Sequence, residues 1–133
     1  ELEPLLRAGL QRLLDAIDRA DAAELATLWT PDATMYFPFA DSTEPCRGRD
    51  AIVARFERMF AALRERNPAG PPYVRFRTLA FECVPIDGRH ALAYATLAFG
   101  REAGRRTIVF RREAAGWRLL HVHASNVPQA PPG

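Results

Sequence analysis

Gly116-Trp117-Arg118-Leu119-Leu120-His121-Val122-His123-Ala124-Ser125-Asn126 reads as a closing β-strand. A strand alternates its side chains with period two, so Trp117, Leu119, His121, His123 and Ser125 are expected on one face. Two imidazoles and a hydroxyl beside a Trp and a Leu make an unusual strand surface. Polar groups on a half-buried face need partners. This face is therefore expected to meet a polar cavity or a partner chain. Which parity points inward is open at this level.

Working outward, the segments before this strand form a meander. Ala115-Gly116 is a turn and Arg105 to Arg112 a strand. Glu102-Ala103-Gly104 is a turn and His90 to Phe99 a strand. Ile86-Asp87-Gly88-Arg89 is a turn and Tyr73 to Val84 a strand. Upstream, Ile52, Val53, Phe56, Met59, Phe60 and Leu63 give one broad apolar helical face, which the Pro- and Gly-rich run 67–72 ends. Leu2 to Arg19 is an amphipathic helix with Leu6, Leu10, Leu13, Leu14 and Ile17 on one side. Asp21 caps a short helix from Ala22 to Trp29. Ala33 to Phe37 is a strand ended by Pro38, and a short strand lies near Thr43 to Arg47.

Three helices interleaved with two short strands, then four longer antiparallel strands, give an α+β fold. The long third helix is expected in the concavity of a curved sheet. Such a wrap leaves a pocket between helix and sheet. Residues 1–127 form one domain, and 128–133 a Pro-rich tail expected to be extended or unstructured.

Net charge is +2, too small to point to nucleic acid or to an anionic membrane. All 18 basic residues are Arg, which reads as coding bias because no segment gathers them into a patch. Cys46 and Cys83 form neither a metal spacing nor a disulfide framework, and a reduced, cytoplasmic protein is expected. No stretch is apolar for long enough to span a bilayer, and no apolar signal region follows Glu1.

Three segments carry a family resemblance. They are Ala20-Asp21-Ala22-Ala23-Glu24-Leu25 through Trp29-Thr30-Pro31-Asp32-Ala33, then Cys46-Arg47-Gly48-Arg49-Asp50-Ala51-Ile52, then Phe110-Arg111-Arg112 through Trp117 to Ser125. Together they resemble the NTF2-like superfamily and, within it, the SnoaL-like branch (the DUF4440 group). The closing strand is similar to that of the association (hub) domain of calcium/calmodulin-dependent protein kinase II. The resemblance implies a cone-shaped α+β barrel, dimeric through the outer face of its sheet. That superfamily includes isomerases, cyclases, dehydratases, binding modules and oligomerisation hubs, so the fold does not choose the function.

The residues narrow it. The steroid isomerases of the superfamily use a carboxylate base before the Pro of the first strand and a Tyr on the first helix. Those places fall at Phe37 and about Leu13 here, and neither can move a proton. The hub domain lines its pocket with arginines on the middle strands. Those places fall at Thr96 and Ile108, without a guanidinium. His121 and His123 are the candidate proton carriers, because imidazole titrates near neutrality. Asp32 and Glu82 are the acids that could orient them. His121-x-His123 also has a two-ligand metal spacing, but no motif supplies a third ligand, so neither metal nor cofactor is expected.

The expected pocket is mainly apolar, lined by Trp29, Met35, Tyr36, Phe37, Phe56, Phe60, Thr96 and Ile108. Tyr36, Thr96 and the His121/His123 strand supply its polarity. The reading is a SnoaL-like protein that binds a small apolar molecule as a homodimer, with acid–base chemistry on an apolar or polyketide-like substrate if it turns anything over. The alternative is a non-catalytic association module like the kinase hub.

Overall fold

In the computed structural model, which describes residues 1–128, α1 (Leu2–Arg19) buries Leu6, Leu10, Leu13, Leu14, Ala16 and Ile17 along one stripe. The stripe follows from their i, i+3 and i+4 spacing. α2 (Ala22–Ala26) starts at Asp21, whose carboxylate accepts the Glu24 N–H at 3.0 Å. β1 (Trp29–Tyr36), β2 (Cys46–Arg47) and α3 (Arg49–Arg66) follow, then β3 (Arg77–Pro85), β4 (His90–Phe99), β5 (Glu102–Glu113) and β6 (Gly116–Pro128). No helix among the described residues is long and apolar enough to cross a membrane.

The six strands form one sheet in the order β2-β1-β6-β5-β4-β3. Every pairing is antiparallel except that of β1 with β6. The helices cover one face of the sheet. Phe81 on β3, Ala93, Ala95 and Leu97 on β4, Ile108 and Phe110 on β5, and Val122 on β6 are buried there. α3 sits against β1, and Trp29 packs on Phe56 with ring centroids 6.4 Å apart. α1 also lies across the sheet, so the concavity holds two long helices and not α3 alone.

The expected α+β class and element order hold, and four boundaries move. Trp29 belongs to β1 and not to α2, because the Leu28 carbonyl accepts the Leu119 N–H at 2.8 Å and starts the ladder to β6. β3 begins at Arg77 and not at Tyr73. The Tyr73 N–H goes to the Asp18 carbonyl, and those of Arg75 and Phe76 go to the Asp18 carboxylate, so this stretch is tied to the end of α1. The β4–β5 turn lies at Gly100-Arg101, with Glu102 to Gly104 already in β5. β6 runs to Pro128, which pairs with Glu102, and the rest of the expected tail lies outside the described residues.

A further correction concerns the closing strand itself. Pairing between β5 and β6 steps from Phe110↔Leu119 to Val109↔His121, so Leu120 is an extra residue. A β-bulge of this kind reverses the parity of everything after it. Trp117 and Leu119 face the helices, and after the bulge so do Val122 and Ala124. His121, His123 and Ser125 stand on the opposite, convex face. β1 carries its own irregularity across residues 30–33, between Trp29↔Leu119 and Thr34↔His121. There the Asp32 carboxylate receives Nη1 and Nη2 of Arg111 at 3.1 and 2.8 Å.

Candidate functional site

Between the two long helices and the concave face lies a hollow of about 210 Å³. Its walls follow from the buried stripes. α1 gives Leu13, Leu14 and Ile17; α3 gives Phe56, Met59 and Leu63. Met35 on β1, with Phe37 and Phe39 beyond its end, forms a third wall, and Val122 and Ala124 on β6 a fourth. Phe37 meets Phe56 edge-on at 4.9 Å and stacks on Phe39 at 6.0 Å, so these rings hold one another in place. Val74, Phe76 and Phe99 complete the apolar lining near its exposed side.

Polarity enters from four residues: Arg66, Glu102, Arg106 and Asn126. Arg66 and Glu102 are exposed and Asn126 is half-buried. Arg106 is only 9% exposed. Its Nη1 donates to the carbonyls of Arg105 and Ser125 at 2.9 and 3.1 Å and to Oδ1 of Asn126 at 3.0 Å. No carboxylate among the described residues forms an ion pair with it. Burial pushes the Arg106 guanidinium down to about 10, with Glu102 opposing the fall, so it is still charged at neutral pH.

Met35, Phe37 and Phe56 thus line the hollow, while Trp29, Phe60 and Ile108 are fully buried in the core beside it. Tyr36 and Thr96 are corrected to the convex face, since they alternate with the buried Met35, Phe37, Ala95 and Leu97. His121 and His123 are corrected with them, for the reason given by the Leu120 bulge. On that face Nδ1 of His121 lies 2.7 Å from Oγ1 of Thr34. The Tyr36 ring sits 6.1 Å from the His121 ring and 5.1 Å from that of His123. Burial, then the neighbouring His123, pushes the His121 imidazole below its ordinary value. Neither expected acid orients an imidazole: Asp32 pairs with Arg111, and Glu82 stands exposed opposite Tyr94.

No group of three or more potential metal ligands occurs among the described residues. Among the described residues the lining of the hollow has no Tyr, and its one acid is the exposed Glu102. A buried acid–phenol pair for isomerase chemistry is therefore not present in the lining. Arg106 and Asn126 escaped the sequence reading. Arg105-Arg106 looks like a solvated pair next to a turn. The usable signal was parity, because Arg106 falls in step with Ile108 and Phe110, the most apolar face of β5.

Comparison with solved structures returns the same fold. An NTF2-like protein of unknown function from Pseudomonas putida KT2440 superposes with a TM-score of 0.79 at 18% identity, over 98% of this chain and 96% of that one. A candidate dehydratase of the NTF2-like family from Streptomyces avermitilis gives 0.76 at 21% identity, over 93% and 94%. A candidate calcium/calmodulin-dependent protein kinase type II association domain from Thiobacillus denitrificans gives 0.65 at 26% identity, over 91% and 94%. No curated protein matches in sequence. The profile of the SnoaL-like domain matches residues 6–130, nearly the whole chain, and the protein belongs to that family.

Proposed function

We propose that this chain binds a small, mainly apolar molecule in the hollow between α1, α3 and the sheet. The observation that carries the reading is the hollow itself, lined mostly by aliphatic and aromatic side chains, of which Leu13, Leu14, Met35, Phe37, Phe56 and Val122 are buried. Burying apolar ligand surface there is favourable by about 25 cal/mol per Å². The volume bounds the size of the guest, since a dry cavity of about 150 Å³ accepts benzene. Binding is favoured over turnover because His121 and His123 face away from the hollow, across the sheet.

Calorimetric titration with 4-phenylbutan-1-ol tests this. Saturable one-to-one binding is expected, and it should be lost in Ala124→Phe, which fills the hollow from β6. Circular dichroism checks that the variant is folded. Failure of the unaltered protein to bind, or undiminished binding by the filled variant, would remove the proposal.

A second reading concerns association, and a different observation favours it. Tyr94, Thr107, His123 and Tyr36 lie in one cross-strand row over the convex face, with Leu92, Val109 and His121 in the next. Tyr94 is 46% exposed. We infer that two copies meet through this face, so that the imidazoles serve an interface and the hollow stays free.

A further inference from the structure

We propose that the guest carries a carboxylate, and that Arg106 receives it. The inference rests on the reading of the hollow as a ligand site and names the chemistry of one end of that ligand. Its basis is an imbalance. A guanidinium is a fixed cation with five N–H donors. Arg106 is buried where β5 and β6 meet the apolar lining, and no acid among the described residues pairs with it. Taking a charge out of water without a counter-charge is costly.

The arrangement around it is built to point the guanidinium. Its three acceptors among the described residues, two carbonyls and the Asn126 amide oxygen, are all held by Nη1. Among the described residues Nη2 and Nε have no hydrogen-bond partner, and side by side they form the edge of the fork that a carboxylate meets with two parallel bonds. Gly104 is part of the same construction. A Cβ there would lie 3.1 Å from Nη1 of Arg106, 3.3 Å from Oδ1 of Asn126 and 2.9 Å from the Phe99 ring. A side chain at 104 would displace the bond that fixes the guanidinium. The neighbouring apolar walls match the rest of such a guest, a ring or short chain, and exclude a fully polar anion such as phosphate.

The test pairs two ligands of one shape, 4-phenylbutanoate and 4-phenylbutan-1-ol, titrated into the full chain at one ionic strength. The unaltered protein is expected to prefer the carboxylate by roughly tenfold or more, as charge-assisted bonds do. Arg106→Met should erase that preference and keep the alcohol. Asn126→Asp places an acid beside Nη1. It is expected to raise the midpoint of urea unfolding and to weaken only the carboxylate, which keeps the test decisive if Arg106→Met does not fold. Equal binding of both ligands by the unaltered protein, or a preference that survives both substitutions, overturns the assignment while leaving the hollow as an apolar site. Binding of neither ligand overturns the two together.

Discussion

His121 shows how one position changes meaning with its face. On the convex side it is partly desolvated, bonded to Thr34, and flanked by His123 and Tyr36. Val109 stands opposite it on β5. No acid or arginine on those elements is paired with it. Its imidazole is harder to protonate in the folded chain than in the unfolded one. The unfolded state therefore binds more protons as pH falls through the ordinary His value of about 6.5, and stability drops with it. Urea unfolding at several pH values should show a shallower loss between pH 7.5 and 5 for His121→Gln, which can still bond Thr34, than for the unaltered chain. Equal slopes would mean that the burial of the ring is not felt. Arg106 makes the converse point. Its charge suggested solvent, and its parity with Ile108 and Phe110 was the better guide.

Most of the elements were legible because apolar periodicity is local. Leu6, Leu10, Leu13 and Ile17 announce α1, and the alternation through His90 to Phe99 announces β4. What could not be read is the Leu120 bulge. It is fixed by the register against Val109 and Phe110 on the neighbouring strand, and nothing in the Trp117 to Asn126 run marks it. A one-residue slip exchanges the two faces of a strand, so this one insertion moved both imidazoles and the three lining residues of β6, Val122, Ala124 and Asn126. The Tyr73 to Phe76 segment was missed similarly, since Asp18 on a distant helix takes its N–H groups. The seat of α1 on the sheet gives a prediction at this scale. Gly9 leaves only 3.0 Å between a hypothetical Cβ and the buried Phe110 ring. Gly9→Val should destabilise the protein by about 1–3 kcal/mol through overpacking, despite its better helix propensity. A thermal midpoint equal to or above that of the unaltered chain would contradict this.

At the scale of the molecule, the sheet separates two surfaces of different character. The concave side encloses the hollow, and the convex side presents aromatic, imidazole and hydroxyl groups in rows. If copies meet on the convex side, light scattering should give twice the chain mass. Thr107→Glu, at the middle of the Tyr94–Thr107–His123–Tyr36 row, should halve it by burying an unpaired charge. Binding of 4-phenylbutan-1-ol should be unaffected by that change. A monomer before substitution would refute the association reading and leave the hollow untouched.

The strand order holds a lesson about assembly. β6 is the last of the six strands to be made, yet it lies in the interior of the sheet, with β1 on one side and β5 on the other. Until it arrives, the strands at its two sides have open edges, and the hollow lacks the wall made by Val122 and Ala124. Contacts between remote parts of a chain slow folding. A chain truncated before Gly116 would therefore leave the facing edges of β1 and β5 open to mispairing.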